Sequence, residues 1–278
     1  MVRREREVAK RVSGKKLYLI LKQEMLSHGI NIGRDKFHEI LRANNLLVYR
    51  KKRRPITTNS RHGLKTYKNL AKNLYIDRSE QVWASDITYI WVHDKWCYLA
   101  LITDAYSRKV VGWNLGEKMT AVFCQQALDR AIKSRDYPKR NLIHHSDRGS
   151  QYCSKVYTEL LHNHGIKISM TEHGDPLENP LAERMNRTFK YEFGMDEGYS
   201  RFDIAYMKIE KAIIYYNERL PHSSVDMLTP SKAHQKVGEL KKHWRWYWKE
   251  AQDKLEDNFY TPQFKKWNSL SFTTVQQS

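Results

Sequence analysis

The chain has 278 residues, 40% of them hydrophobic, which is enough for a packed core and too apolar for a chain disordered throughout. A formal net charge of +18 favours a polyanionic partner, either nucleic acid or an anionic membrane. No apolar run approaches the roughly eighteen residues of a membrane span, and the first residues are too charged for a signal peptide, so a cytoplasmic, nucleoid-associated protein is expected and the nucleic-acid reading gains.

The charge is uneven. Residues 1–65 hold 18 Lys and Arg against 5 Asp and Glu, which is +13 of the total. That asymmetry predicts a separate N-terminal unit that binds nucleic acid. Within it Leu17, Leu21 and Met25 recur at helical spacing, with Gly29 as a C-terminal cap. A second helix fits Arg34 to Ala43, with Phe37, Ile40 and Leu41 on one face. Two short amphipathic helices around a turn fit a helix-turn-helix, although the periodicity alone also fits any small helical hairpin. Next come Arg50, Lys51, Lys52, Arg53, Arg54 and Pro55, then a polar tail, which read as a linker whose cations would track phosphates.

From Gln81 the pattern changes. Residues 82–92 are dense in β-branched and aromatic side chains, His93-Asp94-Lys95 makes a turn, and 96–103 and 109–115 follow as strands. Thr120 to Arg135 reads as a helix, 141–145 as a strand, 154–164 as a helix and 166–170 as a strand. A meander followed by alternating helix and strand predicts an α/β fold, a mixed sheet flanked by helices. Pro180 to Phe193 is the next helix, with Asn179 as possible N-cap, and Phe202 to Glu218 is a long amphipathic one. Beyond it, Trp244, Trp246 and Trp248 alternate, as core or as a stacking platform. Cys97, Cys124 and Cys153 are scattered with no C-x-x-C pair, so they read as buried free thiols rather than a zinc site or disulfides.

Three carboxylates stand out. Asp86 sits mid-strand, where a charge is costly without a partner. Asp147 follows a strand end, where active-site residues of open sheets collect. Glu183 lies in the first turn of its helix, where the macrodipole favours an anion. Singly each has a plain structural explanation: an ion pair, a cap, a dipole contact. Together they supply hard oxygen donors suited to Mg²⁺ or Mn²⁺, and two such ions about 3.5–4 Å apart can drive phosphoryl displacement. Glu183, Arg187 and Lys190 share a helix face, placing cations along a bound strand, although Glu183 and Arg187 could simply pair. The histidines near residue 145 lack a ligand spacing and read as structural.

The stretches WASDITYI, ITDAYSRKVVGW, HHSDRGSQYCS, ENPLAERMNRTFKYE and YNERLPHSSVDMLTP resemble the DDE transposases of bacterial insertion sequences, in particular the second-frame (OrfB) product of the IS-three family with its retroviral integrase-like core. The 35 residues between Asp147 and Glu183 match the family's D,D(35)E spacing. The resemblance implies an RNase H-like catalytic core, with Asp86, Asp147 and Glu183 as the catalytic, metal-binding triad, two Mg²⁺ or Mn²⁺ ions, and Lys190 in the place of the basic residue seven after the glutamate. It divides the chain into a helix-turn-helix DNA-binding domain at 1–49, a basic linker at 50–78, the core at 79–220 and a Trp-rich extension at 221–278. DNA is the implied partner, as terminal inverted repeats and target. A homo-oligomeric synaptic complex and a first-frame protein are the other implied partners. The expected reaction is metal-dependent cleavage and strand transfer at element ends. A silent DNA-binding regulator, or a nuclease that cuts without joining, is the alternative. No N-terminal His/Cys zinc domain of the retroviral kind is present.

Overall fold

Alternating and β-branched residues build the predicted meander. β1 (Val82–Val92), β2 (Lys95–Asp104) and β3 (Val110–Gly116) run antiparallel, and β4 (Ile143–Ser146) and β5 (Lys167–Met170) lie parallel to β1 and to each other. The strand order is β3-β2-β1-β4-β5, the mixed sheet the sequence predicts and an RNase H-like arrangement. This computed structural model describes residues 1–48, 63–172 and 178–242. The cations Arg50 to Arg54 and the alternating tryptophans at 244–248 lie outside the described residues.

The side-chain period of two in a strand sends neighbours to opposite faces, and each face has its own core. On one, Trp83, Ala100 and Ile102 pack with α4 (Ala121–Lys133), α5 (Ser150–Cys153) and α6 (Lys155–Asn163). Gly112 on β3 permits this approach, because a Cβ there would lie 2.3 Å from the Ala127 carbonyl oxygen of α4. Thr120 and Ser154 cap α4 and α6 by accepting from Phe123 N–H and Tyr157 N–H, satisfying donors the first turn leaves open.

On the other face, Ile90, Val92, Leu99 and Leu101 pack with α7 (Pro180–Glu192) and α8 (Phe202–Arg219). The N-terminal helices join the same cluster through Leu17, Leu21, Met25, Phe37 and Leu41. Those residues belong to α2 (Gly14–Ser27) and α3 (Arg34–Ala43), the predicted pair. Gly29 takes φ +73 and Ile30 N–H donates to Met25 O at 2.8 Å, the Schellman closure that glycine favours. Ile40, expected on the apolar face of α3, is instead 42% exposed.

Among the described residues three α-helices escaped the sequence reading: the four-residue α5 and two others. α1 (Val2–Val8) is short and charged, yet it buries Glu5, which accepts from Tyr215 Oη and from Arg219 at 3.0 Å on α8. α9 (Pro230–His234) reaches back to a polar knot under the sheet. There Ser107 Oγ lies 2.8 Å from His234 Nδ1 and donates to Asp104 Oδ1, which also accepts Ser107 N–H. Glu80 completes the knot. It is 1% exposed and accepts from Arg135 Nε at 2.8 Å, Asp136 N–H at 2.7 Å and Tyr137 N–H at 3.0 Å. No described helix is long and apolar enough to cross a membrane.

Candidate active site

Three elements deliver the three carboxylates. β1 carries Asp86 opposite Leu101 of β2, on the face covered by α7. Asp147 immediately follows β4, the parallel neighbour of β1, and its Oδ1 accepts Gly149 N–H at 2.9 Å. Glu183 sits in the first turn of α7 and is exposed. Asn179 stands at the N-cap position but makes no side-chain cap; its amide donates instead to Ser85 O at 3.0 Å. The expected cap is thus replaced by a tie between the start of α7 and the strand that carries Asp86.

Among the described residues Asp86 has no positive partner. Its oxygens accept Ile87 N–H at 2.8 Å and the Asn186 amide at 2.7 Å, both neutral groups. Burial pushes its carboxyl up to about 7; the charges of Asp147 and Glu183 push the same way, while the bonds from Ile87 and Asn186 pull it down. The three acids therefore share one electrostatic environment. Like charges left in partial burial without a cation raise each other's proton affinity, and a bound cation relieves that repulsion.

Asn186 is the residue the sequence reading missed. It lies three positions after Glu183, one turn along α7, and its Oδ1 is buried without a hydrogen-bond partner among the described residues. An orphaned carbonyl oxygen costs about 1–3 kcal/mol unless a donor or cation satisfies it. Among the described residues no three His, Cys, Asp or Glu side chains close around one point as a finished metal cage would. The donor set is nonetheless all oxygen, the type that hard divalent cations prefer, and the unpaired Asn186 Oδ1 adds one more beside it. The residues fit Mg²⁺ or Mn²⁺.

His144 and His145 are tied into the core by hydrogen bonds, and His173 lies outside the described residues. His144 Nε2 lies 2.9 Å from Tyr157 Oη, and burial lowers its pKa to about 3. His145 spans from Ser169 Oγ at 2.9 Å to Glu178 O at 3.1 Å, bracing the chain just ahead of α7. The alternative of an ion pair between Glu183 and Arg187 is not seen: among the described residues Arg187 makes none, and it is exposed. Lys190, half-buried, lies in the last turn of α7.

Two integrase core domain profiles match the chain, over residues 77–176 and 164–230, stretches that include all three carboxylates. A Shigella sonnei protein described as the insertion element IS600 uncharacterized 31 kDa protein is 33% identical over 222 residues, 79% of this chain and 81% of that one. The Escherichia coli K12 transposase InsF for insertion sequence IS3A is 39% identical over 132 residues, covering 47% of this chain and 46% of its own length. Among solved structures, a chain of the simian T-cell lymphotropic virus intasome, determined in complex with PP2A regulatory subunit B56 gamma, superposes with a TM-score of 0.50 at 17% identity. It covers 82% of this chain and 78% of that one, a likeness in fold.

Proposed function

The chain belongs to the IS3 family of insertion-sequence transposases, and from that premise we propose that Asp86, Asp147 and Glu183 form the centre at which it cleaves and joins DNA. The observation that carries the assignment is Asp86, a half-buried carboxylate bonded among the described residues only to neutral groups, whose proton affinity the charges of Asp147 and Glu183 raise. Asp86, Asp147 and Glu183 would hold the divalent ions, and Asn186 would fix the Asp86 carboxylate from behind, as the outer partner of a metal ligand does. Two Mg²⁺ or Mn²⁺ ions bound there supply Lewis-acid activation of an attacking oxygen and charge neutralisation on the leaving one.

The chain's own residues do the rest. β1 holds Asp86 and the end of its parallel neighbour β4 holds Asp147, while α7 presents the glutamate from its first turn. Arg187 and Lys190, one and two turns beyond Glu183, lie along a strand's phosphates and orient its phosphodiester toward the acids. The helical unit at 1–49 is read as the DNA-end binder, the cations of 50–54 as phosphate contacts, and 221–278 as an extension of the 79–220 core. Bringing two element ends together requires a homo-oligomer, and a first-frame protein is a further expected partner.

The test uses labelled ends of the element that encodes the chain, incubated with Mg²⁺ or Mn²⁺. Strand-joined products that disappear in Asp147→Asn support the assignment. Binding without cleavage under either ion would make the chain a regulator, and nicking without joined product would make it a nuclease.

A further inference from the structure

Beside the acids, α7 carries a second working face. At ~100° per residue, Tyr191, Arg184 and Thr188 lie about 80°, 100° and 140° around the helix from Glu183, and Arg187, about 40° away, stands between that face and the acids' own. With Glu192 they line one side of a cleft of about 480 Å³ that is also lined by Arg11, Ser13 and Lys16, at the connection into α2, and by His222 and Ser223.

The charge balance of this cleft is one-sided. Arg11 is held by Asp196 at 2.8 Å and stacks its guanidinium 5.4 Å from the Tyr191 ring centroid, and Lys16 pairs with Glu192 at 2.9 Å. Arg184 and Arg187 are exposed and form no ion pair among the described residues. Near them Arg108 is half-buried, again with no carboxylate within ion-pair distance among the described residues. Its Nε donates to Ser224 Oγ at 3.0 Å.

That bond decides the state of His222. Ser224 Oγ already accepts from Arg108, so its own proton turns to His222 Nδ1, 2.8 Å away, which also receives Ser224 N–H at 3.3 Å. With Nδ1 accepting twice, the ring proton stands on Nε2. Burial, then the charges of Lys16, Arg108 and Arg184, lower the pKa of His222 to about 3, so the ring is a neutral N–H donor near pH 7. Its Nε2 has no partner among the described residues. Two guanidinium groups without an ion pair among the described residues, a pre-set imidazole donor, a half-buried cation near them and the Thr188 hydroxyl are the equipment of an anion site.

We propose that this cleft, walled by α7 and the N-terminal helices, binds the phosphodiester backbone of the DNA strand that runs on from the catalytic acids. The proposal rests on the transposase reading above and names where its DNA lies. Arg184 to Tyr191 spans roughly 10 Å of helix at ~1.5 Å per residue, and a DNA strand places a phosphate about every 3.4 Å along its axis. The cleft therefore takes about three successive phosphates. Because one wall comes from the N-terminal helices, a strand lying in it ties those helices to the core across a single ligand.

Two measurements on the full-length protein test this. Binding of a fluorescent duplex carrying the element end is followed by anisotropy from low to high KCl, for the wild type and Arg184→Gln. Loss of one phosphate contact lowers the magnitude of the log–log salt slope by about 0.7–0.9, with unchanged thermal unfolding. In parallel, Thr188→Cys is modified with a photoactivatable aryl azide. Cys97, Cys124 and Cys153 are all buried, so label and cross-link report residue 188. Ile214→Cys, on the 57% exposed outer side of α8, is the control. A reduced slope in Arg184→Gln together with DNA cross-linking from 188 but not 214 supports the cleft. An unchanged slope, or equal cross-linking from both positions, overturns it. The transposase reading would survive that result if Asp147→Asn still abolished strand joining. A wild type that binds no DNA overturns both.

Discussion

Glu80→Gln tests the buried polar knot, and its size can be worked from the structure. Burial alone would raise the Glu80 carboxyl, but bonds from His234, Arg135 and the Tyr137 and Asp136 amides outweigh it and hold the pKa at about 2, against an ordinary 4.5. A carboxylate so displaced contributes, at ~1.4 kcal/mol per decade of proton affinity, about 3 kcal/mol to folding. Because the folded-state value is the lower one, the contribution is complete above pH ~4.5 and fades as the pH falls toward ~2. Gln keeps the shape and can still accept the two amides, but it leaves Arg135, 6% exposed, facing a neutral group. The expected loss is therefore about 3 kcal/mol near pH 7, or a fall in Tm of roughly 6–12 °C for a unit of this size. The difference between variant and wild type should shrink by about half near pH 3. Urea unfolding followed by tryptophan fluorescence at a series of pH values measures both. Equal stability at neutral pH, or a deficit that stays constant from pH ~7 to pH ~3, would refute the argument that ionised Glu80 stabilises the fold.

Three further outcomes follow from features already described. Gly112→Ala places a methyl 2.3 Å from the Ala127 carbonyl, so α4 must lift from β3; a cost of about 1–3 kcal/mol is expected, readable as a lowered urea midpoint. Asn186→Ala removes the amide that steadies Asp86, and affinity for Mn²⁺, measured by calorimetry, should weaken about 10–100-fold with the fold retained. The three cysteines are buried, and burial raises the Cys124 pKa to about 12. A thiol reagent should therefore titrate none of them in the native chain and all of them after unfolding.

The strands and the long helices were legible because their periods are strong. β1 to β3 and α7 and α8 fall within a few residues of their predicted bounds. The acids were legible as residue types out of place, an aspartate mid-strand and another at a strand end. What escaped depends on contacts distant in sequence. α1 looks like a charged leader until Tyr215 and Arg219 arrive to hold Glu5. Asn186 is an ordinary helix residue until its amide meets an aspartate 100 positions earlier. His222 shows its role only through Ser224 and Arg108, which lies 116 residues from that serine. The Asn179 cap failed for a related reason: its side chain is turned to donate its amide to a carbonyl on β1 and accepts from no N–H of the first turn.

α7 presents Ala182, Met185 and Phe189 to the core, Glu183, Asn186 and Lys190 to the acids' side, and Arg184, Arg187 and Thr188 to the cleft. Almost no side of the helix is left idle. An ordinary surface helix such as α8 has a solvent stripe, marked by Met207 and Ile214 at 52% and 57% exposure, on which neutral drift can run. α7 has no such outlet, so a saturation mutagenesis scored on transposition should find it intolerant around its whole circumference. A change in one of its duties would have to be compensated from another segment rather than from a neighbouring turn.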